Sequence, residues 1–211
     1  MKKIILLTVL LNLSYVSKAQ TVDMYASVGY GDANVYYKDT NNFQNQFEGT
    51  WVYQQGLARL EVQFRKKEEM TVRPGPNQYY ADVLVGEYKY IDANGVERVN
   101  SLANINVEHP SLFDYNIRSR MKIGNNVYPV CTTCPPGTKR LSMQFDEPAN
   151  DDFGLAADFM IRRVVDNGVE KLIVQFISID LAAGFSKTDL EAPSTFTYFS
   201  LPYGNYTLIK Q

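Results

Sequence analysis

Apolar and polar residues alternate along most of this chain, and the alternation is interrupted at Asn94-Gly95 and Asn167-Gly168. Both residues of a type I′ hairpin turn adopt positive φ, which Asn and Gly tolerate better than other residues. Alternation with period two places the apolar residues on one face of a strand, and that face is then buried. No long helical period accompanies the pattern. The sequence therefore predicts antiparallel hairpins rather than a bundle of helices.

A first hairpin is predicted around Gln55-Gly56, with Trp51 opposite Leu60 and Tyr53 opposite Ala58. In this register the apolar residues of both strands share one face, and the charged residues of the second strand share the other. The residues expected on the face of Trp51 are Leu60, Val62 and Phe64.

The two Asn-Gly turns define two further hairpins. Asn94-Gly95 joins Tyr79–Ile91 to Val96–Leu102 and sets Tyr90 opposite Val99. Asn167-Gly168 joins Leu155–Val165 to Val169–Leu181. In that hairpin the aligned pairs are Phe159 with Phe176 and Ile161 with Val174.

Four more segments have a strand-like pattern: Tyr115–Ile123, Arg140–Asp146, Thr195–Leu201 and Tyr206–Lys210. Together with the hairpins they give about nine to ten strands. Many short strands separated by turn residues predict an all-β fold, either a single antiparallel β-barrel or a sandwich.

Residues 1–19 have the features of a signal peptide. A lysine pair precedes the apolar run Ile4–Leu13, and Ser17 and Ala19 occupy the two small positions before a cleavage site. An apolar run of about ten residues is too short to span a bilayer. We therefore expect a protein exported to the periplasm or the medium, with Gln20 as its first residue.

The rest of the chain divides into two parts. Residues 20–46 are rich in Tyr, Asn and Gly with weak alternation, and we expect an irregular N-terminal arm there. Residues 47–211 are expected to form the β-barrel-like domain.

The charge is mildly acidic, with 21 Lys and Arg against 23 Asp and Glu, and three of the lysines precede Gln20. The one dense basic cluster, Arg65-Lys66-Lys67, is followed by two glutamates and is predicted to be a solvated strand end. Nucleic-acid binding needs a clustered basic surface, so no nucleic-acid partner is expected. No segment after residue 19 is apolar enough to span a membrane.

Phe47-Glu48-Gly49-Thr50-Trp51 resembles the Gly-x-Trp motif of calycin barrels, the lipocalins and their relatives. There a short helical turn leads into the first strand and the Trp closes one end of the barrel. Calycins commonly pack an Arg from a late strand against that Trp. This chain departs from the pattern because it has no Arg after Arg163.

Several aromatic and apolar side chains could line a cavity for a small hydrophobic molecule in such a barrel. They could equally fill a solid core, because small barrels are often filled by their own side chains. The sequence leaves both alternatives open. The side chains are Trp51, Tyr53, Leu60, Phe64, Tyr88 and Tyr90.

Five short segments resemble a family of small secreted Bacteroidota proteins, which is classed as domain of unknown function 6705. They are Tyr37–Asn42, Phe47–Trp51, Val85-Gly86-Glu87-Tyr88, Cys131-Thr-Thr-Cys134-Pro135 and Thr207-Leu208-Ile209-Lys210. The resemblance implies export and a β-rich fold. It implies no known activity and no assigned site.

Cys131 and Cys134 are the only cysteines. In an oxidising compartment a local disulfide is the expected state. Metal binding would need further ligands, and a redox role would need a helix N-terminus to lower a thiol pKa. We expect the disulfide, with a metal shared between two chains and redox chemistry as the alternatives.

The remaining candidates for chemistry are His109, the acidic loop 146–152 and strand-borne acids. No nucleophile motif accompanies the single histidine, so a surface role is expected for it. The acidic loop lacks the spacing of a calcium-binding EF-hand and is expected to be a solvated turn. The acids that could converge for glycoside hydrolysis are Glu61, Asp82 and Glu87.

Three functions follow from these features. The first is a non-catalytic exported barrel that binds a small apolar ligand. The second is an interaction or structural protein of the cell envelope with a solid core. The third is a hydrolase that acts on envelope polymers. No catalytic residue, metal ligand or cofactor-binding residue is assigned.

Overall fold

The fold is all-β, as predicted. It is seen in a computed structural model, which describes residues 19–26, 30–152, 154–179, 187–188 and 192–211. The predicted signal peptide lies outside these residues apart from Ala19. The strands are β1 (Gln20–Asp23), β2 (Val35–Lys38), β3 (Gly49–Gln55), β4 (Ala58–Arg73), β5 (Tyr79–Ile91), β6 (Glu97–Asn100), β7 (Ile117–Gly124), β8 (Lys139–Phe145), β9 (Ala157–Asp166), β10 (Val169–Ser178) and β11 (Gly204–Lys210). The helical elements are the short 3-10 turns Asn45–Phe47, Leu102–Asn106 and Leu112–Asp114.

Eight of the strands form a closed antiparallel barrel. Around the ring the order is β5, β4, β3, β11, β10, β9, β8 and β7, and β7 pairs with β5 again. This closing contact is short and pairs Val85 with Arg118 and Gly86 with Ile117. Closure gives each strand of the ring a neighbour on both sides, which is how barrels limit uncontrolled pairing, although the short β5–β7 contact leaves other parts of β5 open to further strands. The structure therefore selects the barrel over the sandwich.

The other three strands lie along the free parts of β5. β6 continues the hairpin after β5, whereas β2 pairs with the first half of β5 in parallel, and β1 pairs with β2 in parallel. Residues 20–46, which we expected to be irregular, thus contain two short strands. Their weak alternation hid them because parallel pairing to an existing sheet edge leaves no hairpin turn to recognise.

The predicted residue pairs of the second and third hairpins are confirmed, although the second has a register shift beside its turn, where Ile91 pairs with Glu97. Tyr90 pairs with Val99, and Phe159 pairs with Phe176. In the first hairpin, however, Trp51 pairs with Val62 rather than with Leu60, because the turn residues are Gly56-Leu57. A shift of two residues keeps every side chain on its face, so the predicted burial of that face survives the error.

The predicted strand Thr195–Leu201 is wrong. Its backbone N–H groups find carboxylates instead of a neighbouring strand: that of Phe196 donates to Asp151 (3.0 Å) and that of Ser200 donates to Glu147 (2.8 Å). Phe199 and Leu201 of the same segment are buried in the barrel core. The segment therefore crosses from solvent into the core as a loop.

The barrel interior is filled by apolar side chains. Phe145 lies at its centre, with ring centroids 4.7 Å from Tyr88, 4.7 Å from Phe176 and 5.6 Å from Phe199. These aromatic contacts fill the centre of the barrel with side chains. Among the described residues, four cavities have volumes of about 260–390 Å³. Leu60 and Tyr88 line none of the four, whereas Phe176 lines one of them.

A candidate binding cleft on the outer barrel wall

The six side chains considered for a ligand cavity lie in the packed core or against it. Trp51, Leu60 and Tyr88 have no exposed surface, and Phe64 and Tyr90 are nearly as buried. Tyr53 is partly buried and packs against the same cluster. The indole N–H of Trp51 donates to the carbonyl of Phe47 (2.7 Å), so its one polar atom is satisfied within the chain.

His109 belongs to a polar network outside the barrel. Its Nε2 lies 2.8 Å from Oδ1 of Asn104, and Nδ2 of Asn104 donates to the fully buried Glu87 (2.9 Å). Asn116 also donates to Glu87 through its backbone N–H. The network fixes the loop 101–116 against β5 and presents no nucleophile to the histidine.

A second polar network attaches residues 36–48 to β4 and β5. Nζ of Lys66 lies 3.5 Å from both Asp39 and Asp82, whose carboxylates are almost fully buried. Lys66 is therefore not solvated, contrary to our expectation for the basic cluster. The backbone N–H groups of Phe43 and Gln44 donate to Asp39, so the carboxylates are occupied by the chain itself.

The acids considered for hydrolysis bind different partners. Glu61 pairs with Arg59 on the surface (3.0 Å), whereas Asp82 and Glu87 belong to the two separate networks described above. The acidic loop binds the loop after residue 192 through Glu147 and Asp151. Among the described residues, no group of three His, Cys, Asp or Glu side chains is placed to hold a metal ion.

Cys131 and Cys134 form the predicted disulfide, and it lies in the long loop between β7 and β8. Arg140 at the start of β8 holds this loop, because its Nη2 donates to the carbonyls of Gly124 (3.0 Å) and Val127 (2.7 Å). The backbone N–H of Cys131 donates to the carbonyl of Asn125 (2.9 Å). The loop is thereby folded back over the outer wall of the barrel.

A cleft of about 320 Å³ lies between this loop and the outward-facing residues of β8–β11. Two rows of side chains that cross the strands form its floor. The row nearest the loop contains Arg140, Arg162, Ile173 and Thr207, and the second row contains Met160, Gln175 and Asn205. The roof is residues 130–133, which include Cys131. We call this space the outer cleft.

The outer cleft contains two guanidinium groups without an acidic partner. Arg140 directly precedes Leu141 and Arg162 directly follows Ile161, and these two residues are paired on neighbouring antiparallel strands. Neither forms an ion pair within the described residues, whereas Arg163, the next residue on β9, pairs with Glu170 at 3.0 Å. Burial lowers the pKa of Arg140, and the charge of Arg162 lowers it further.

Arg140 is also incompletely satisfied. The residue is 3% exposed, and its Nε is buried without a hydrogen-bond partner in the described chain. A buried unpaired donor costs free energy, and a bound ion or water is one of the ways in which native structures satisfy such a group. The outer cleft is therefore a candidate binding site.

The sequence indicated only part of this site. The third hairpin register, which is confirmed, already placed Arg162 on the outward face opposite Ile173. Nothing in the sequence showed that the disulfide loop would cover that face. The signal that could have found the site is a pair of arginines on outward strand positions with no acid opposite them.

The chain was compared with known proteins. No curated protein and no solved structure matches it. Within the described residues, no helix is long and apolar enough to cross a membrane. One family model matches over residues 1–211, and the chain thus belongs to the family described as "Family of unknown function (DUF6705)".

Proposed function

We propose that this protein is an exported, non-catalytic binding protein whose ligand occupies the outer cleft, with the solid barrel as its scaffold. The proposal keeps the binding role considered from the sequence and moves the site from the inside of the barrel to its outer wall. The observation that carries it is the outer cleft itself. It combines about 320 Å³ of space, a disulfide-braced roof and unneutralised arginines in its floor.

The filled interior supports this location. Ligand sites are concave spaces with a few convergent polar groups, and reported volumes begin at about 300 Å³. Trp51 and Tyr88 are fully buried in the packed core and line none of the four cavities found among the described residues. The outer cleft offers such a space, together with the amides of Gln175 and Asn205 and the hydroxyl of Thr207.

The disulfide and the N-terminal sequence support export, and the surroundings of His109 support a non-catalytic role. A disulfide between Cys131 and Cys134 persists in oxidising compartments, and the first 19 residues have the composition of a signal peptide. Catalysis by a nucleophile–histidine pair would need a nucleophile beside His109, and its neighbours are Asn104 and Tyr115.

Native mass spectrometry of the protein purified from its own compartment tests the proposal. Thr207→Phe should fill the cleft floor, because Thr207 faces outward beside Ile173, and the added mass of a bound ligand should disappear. Ile209→Phe is the matched control, since it lies on the same strand and face but outside the cleft. Repeated spectra of the wild-type protein without added mass, or equal loss in both variants, would contradict the proposal.

A further inference from the structure

We propose that the outer cleft recognises an oxyanion, namely a carboxylate, sulfate or phosphate group on a small molecule, through Arg162 and Arg140. This inference rests on the proposed function and adds the chemical class of the ligand. Its basis is the positive charge of the cleft floor, because the shape of the cleft alone does not indicate the chemical class of the ligand.

Five of the nine arginines form no ion pair within the described residues, and Arg140 and Arg162 are the two of these that line the outer cleft. The other three are Arg65, Arg73 and Arg118. Arg59, Arg98, Arg120 and Arg163 each lie within 3.0 Å of a carboxylate oxygen. Arg140 and Arg162 lie side by side with no such partner among the described residues, so their charges repel each other. A partly buried pair of like charges is unfavourable unless an anion neutralises it.

The geometry of the guanidinium group specifies the anion. Its planar fork of N–H donors matches two oxygens of a carboxylate, sulfate or phosphate, and it forms shorter, stronger hydrogen bonds with these than with neutral acceptors. Nη2 of Arg140 donates to the carbonyls of Gly124 and Val127. Its buried Nε–H has no acceptor within the described chain. Arg162 has all of its donors available within the described chain.

Arg140 therefore has two roles. It holds the disulfide loop in place as the roof, and its positive charge lies beside that of Arg162 in the lining of the cleft. Because one side chain touches both the loop and the cleft, an anion bound at Arg140 should also stabilise the closed position of the loop.

The rest of the cleft limits the body of the ligand. Met160 and Ile173 provide apolar floor between the polar groups, while Gln175 and Asn205 provide amides. A volume of about 320 Å³ suits a small organic acid or a single sugar acid, sugar sulfate or sugar phosphate rather than a polymer. We infer a small anionic molecule with a compact, partly polar body.

Titrations of the full-length exported protein with sodium acetate, sodium sulfate and sodium phosphate at constant ionic strength test the inference. The readout is the ¹⁵N–¹H spectrum, with the Nε–H signals of Arg140 and Arg162 and the backbone signals of Thr132 and Thr207. At least one of the three anions should shift these signals saturably. The anion that binds best identifies the oxyanion group.

Arg162→Gln should weaken that anion about 10- to 100-fold, because a hydrogen bond to a charged group is lost. The matched control is Arg163→Gln, which removes the same charge from the same strand. Glu170 keeps Lys210 as a partner in that variant, so the affinity should stay unchanged. The absence of any saturable shift, or equal affinity in Arg162→Gln and wild type, would overturn the inference.

The outcome also separates this inference from the proposed function. If Thr207→Phe removes a bound uncharged molecule while no oxyanion gives a saturable shift, the oxyanion inference fails and the outer cleft remains a binding site. If oxyanions shift signals only outside the cleft, the inference fails as well. If neither a bound molecule nor an oxyanion is detected in the cleft, both fail.

Discussion

The two faces of strands β8–β11 differ in polarity and burial. The inward face contributes Leu141, Phe159, Val174 and Leu208, which are almost or fully buried and touch one another in a single cluster. The outward face carries the unpaired Arg162 and the amides of the outer cleft. Side chains alternate between the two faces of a strand. The same four strands therefore supply the core on one face and a polar site on the other. Changes on the two faces should therefore have separable effects.

The largest effect on folding should come from the centre of the inward face. Phe145→Ala removes a ring that contacts Tyr88, Phe176 and Phe199, and it should lower the free energy of unfolding by about 3–5 kcal/mol. Urea unfolding measures the change. Tyr128→Ala on the disulfide loop is the control, because Tyr128 is 76% exposed and should change stability by less than about 0.5 kcal/mol. Equal effects of the two changes would contradict a filled interior.

The barrel closure should be the next most sensitive place. A Cβ on Gly86 would lie 2.6 Å from two ring atoms of Phe64 and 3.2 Å from Cβ of Ile117. Gly86→Ala should therefore lower the free energy of unfolding by about 1–3 kcal/mol through overpacking. In a Phe64→Ala background the same change should cost much less, and a double-mutant cycle measures that coupling. An unchanged cost in that background would show that the strain has another source.

Loss of the disulfide should have a moderate effect that is confined to the roof of the cleft. The bond joins residues three apart, and closing so small a loop stabilises the folded chain by at most about 2 kcal/mol. The double variant Cys131→Ser, Cys134→Ser should keep the barrel folded. It should speed hydrogen exchange at the backbone N–H of position 131, which donates to the carbonyl of Asn125 in the wild-type protein. Thr132→Ser is the control, and faster exchange throughout β8–β11 would contradict a local role.

The smallest effect on stability should come from Arg162, although it is the residue most important for binding. Arg162→Gln removes its repulsion with Arg140, so the free energy of unfolding should stay within about 0.5 kcal/mol of wild type or rise. Arg163→Gln should not raise it, because it breaks the pair with Glu170. Thermal and urea unfolding measure both. A marked loss of stability in Arg162→Gln would indicate a structural rather than a binding role.

The hairpins and the core could be predicted because they depend on local signals. Asn167-Gly168 predicted the register of its whole hairpin, and Asn94-Gly95 predicted the pairing of Tyr90 with Val99. Period-two alternation placed Trp51 and Leu60 on one buried face. The first turn was predicted at Gln55-Gly56 and lies one residue later, at Gly56-Leu57, because Gly can occupy either central position of such a turn. That error was harmless to the face assignment because it moved the register by an even number.

The loops and the site could not be predicted in the same way. The segment Thr195–Leu201 has strand-forming residues, but carboxylates 45 and 53 positions earlier in the chain bind its backbone. Lys66 was expected in solvent because its buried partners, Asp39 and Asp82, are distant in sequence. The outer cleft likewise depends on a loop that folds across four strands. Contacts of this kind follow from the closed barrel and leave little local signal.

Titration with sodium benzoate, followed in one ¹⁵N–¹H spectrum, tests most directly whether the binding site lies outside the barrel. Benzoate has an apolar ring that would suit a barrel cavity and a carboxylate that would suit the outer cleft. We predict that the Nε–H signal of Arg162 and the backbone signal of Thr207 shift saturably, while the signal of the buried indole N–H of Trp51 does not shift. A shift of the Trp51 indole signal with no change at Arg162 would contradict it.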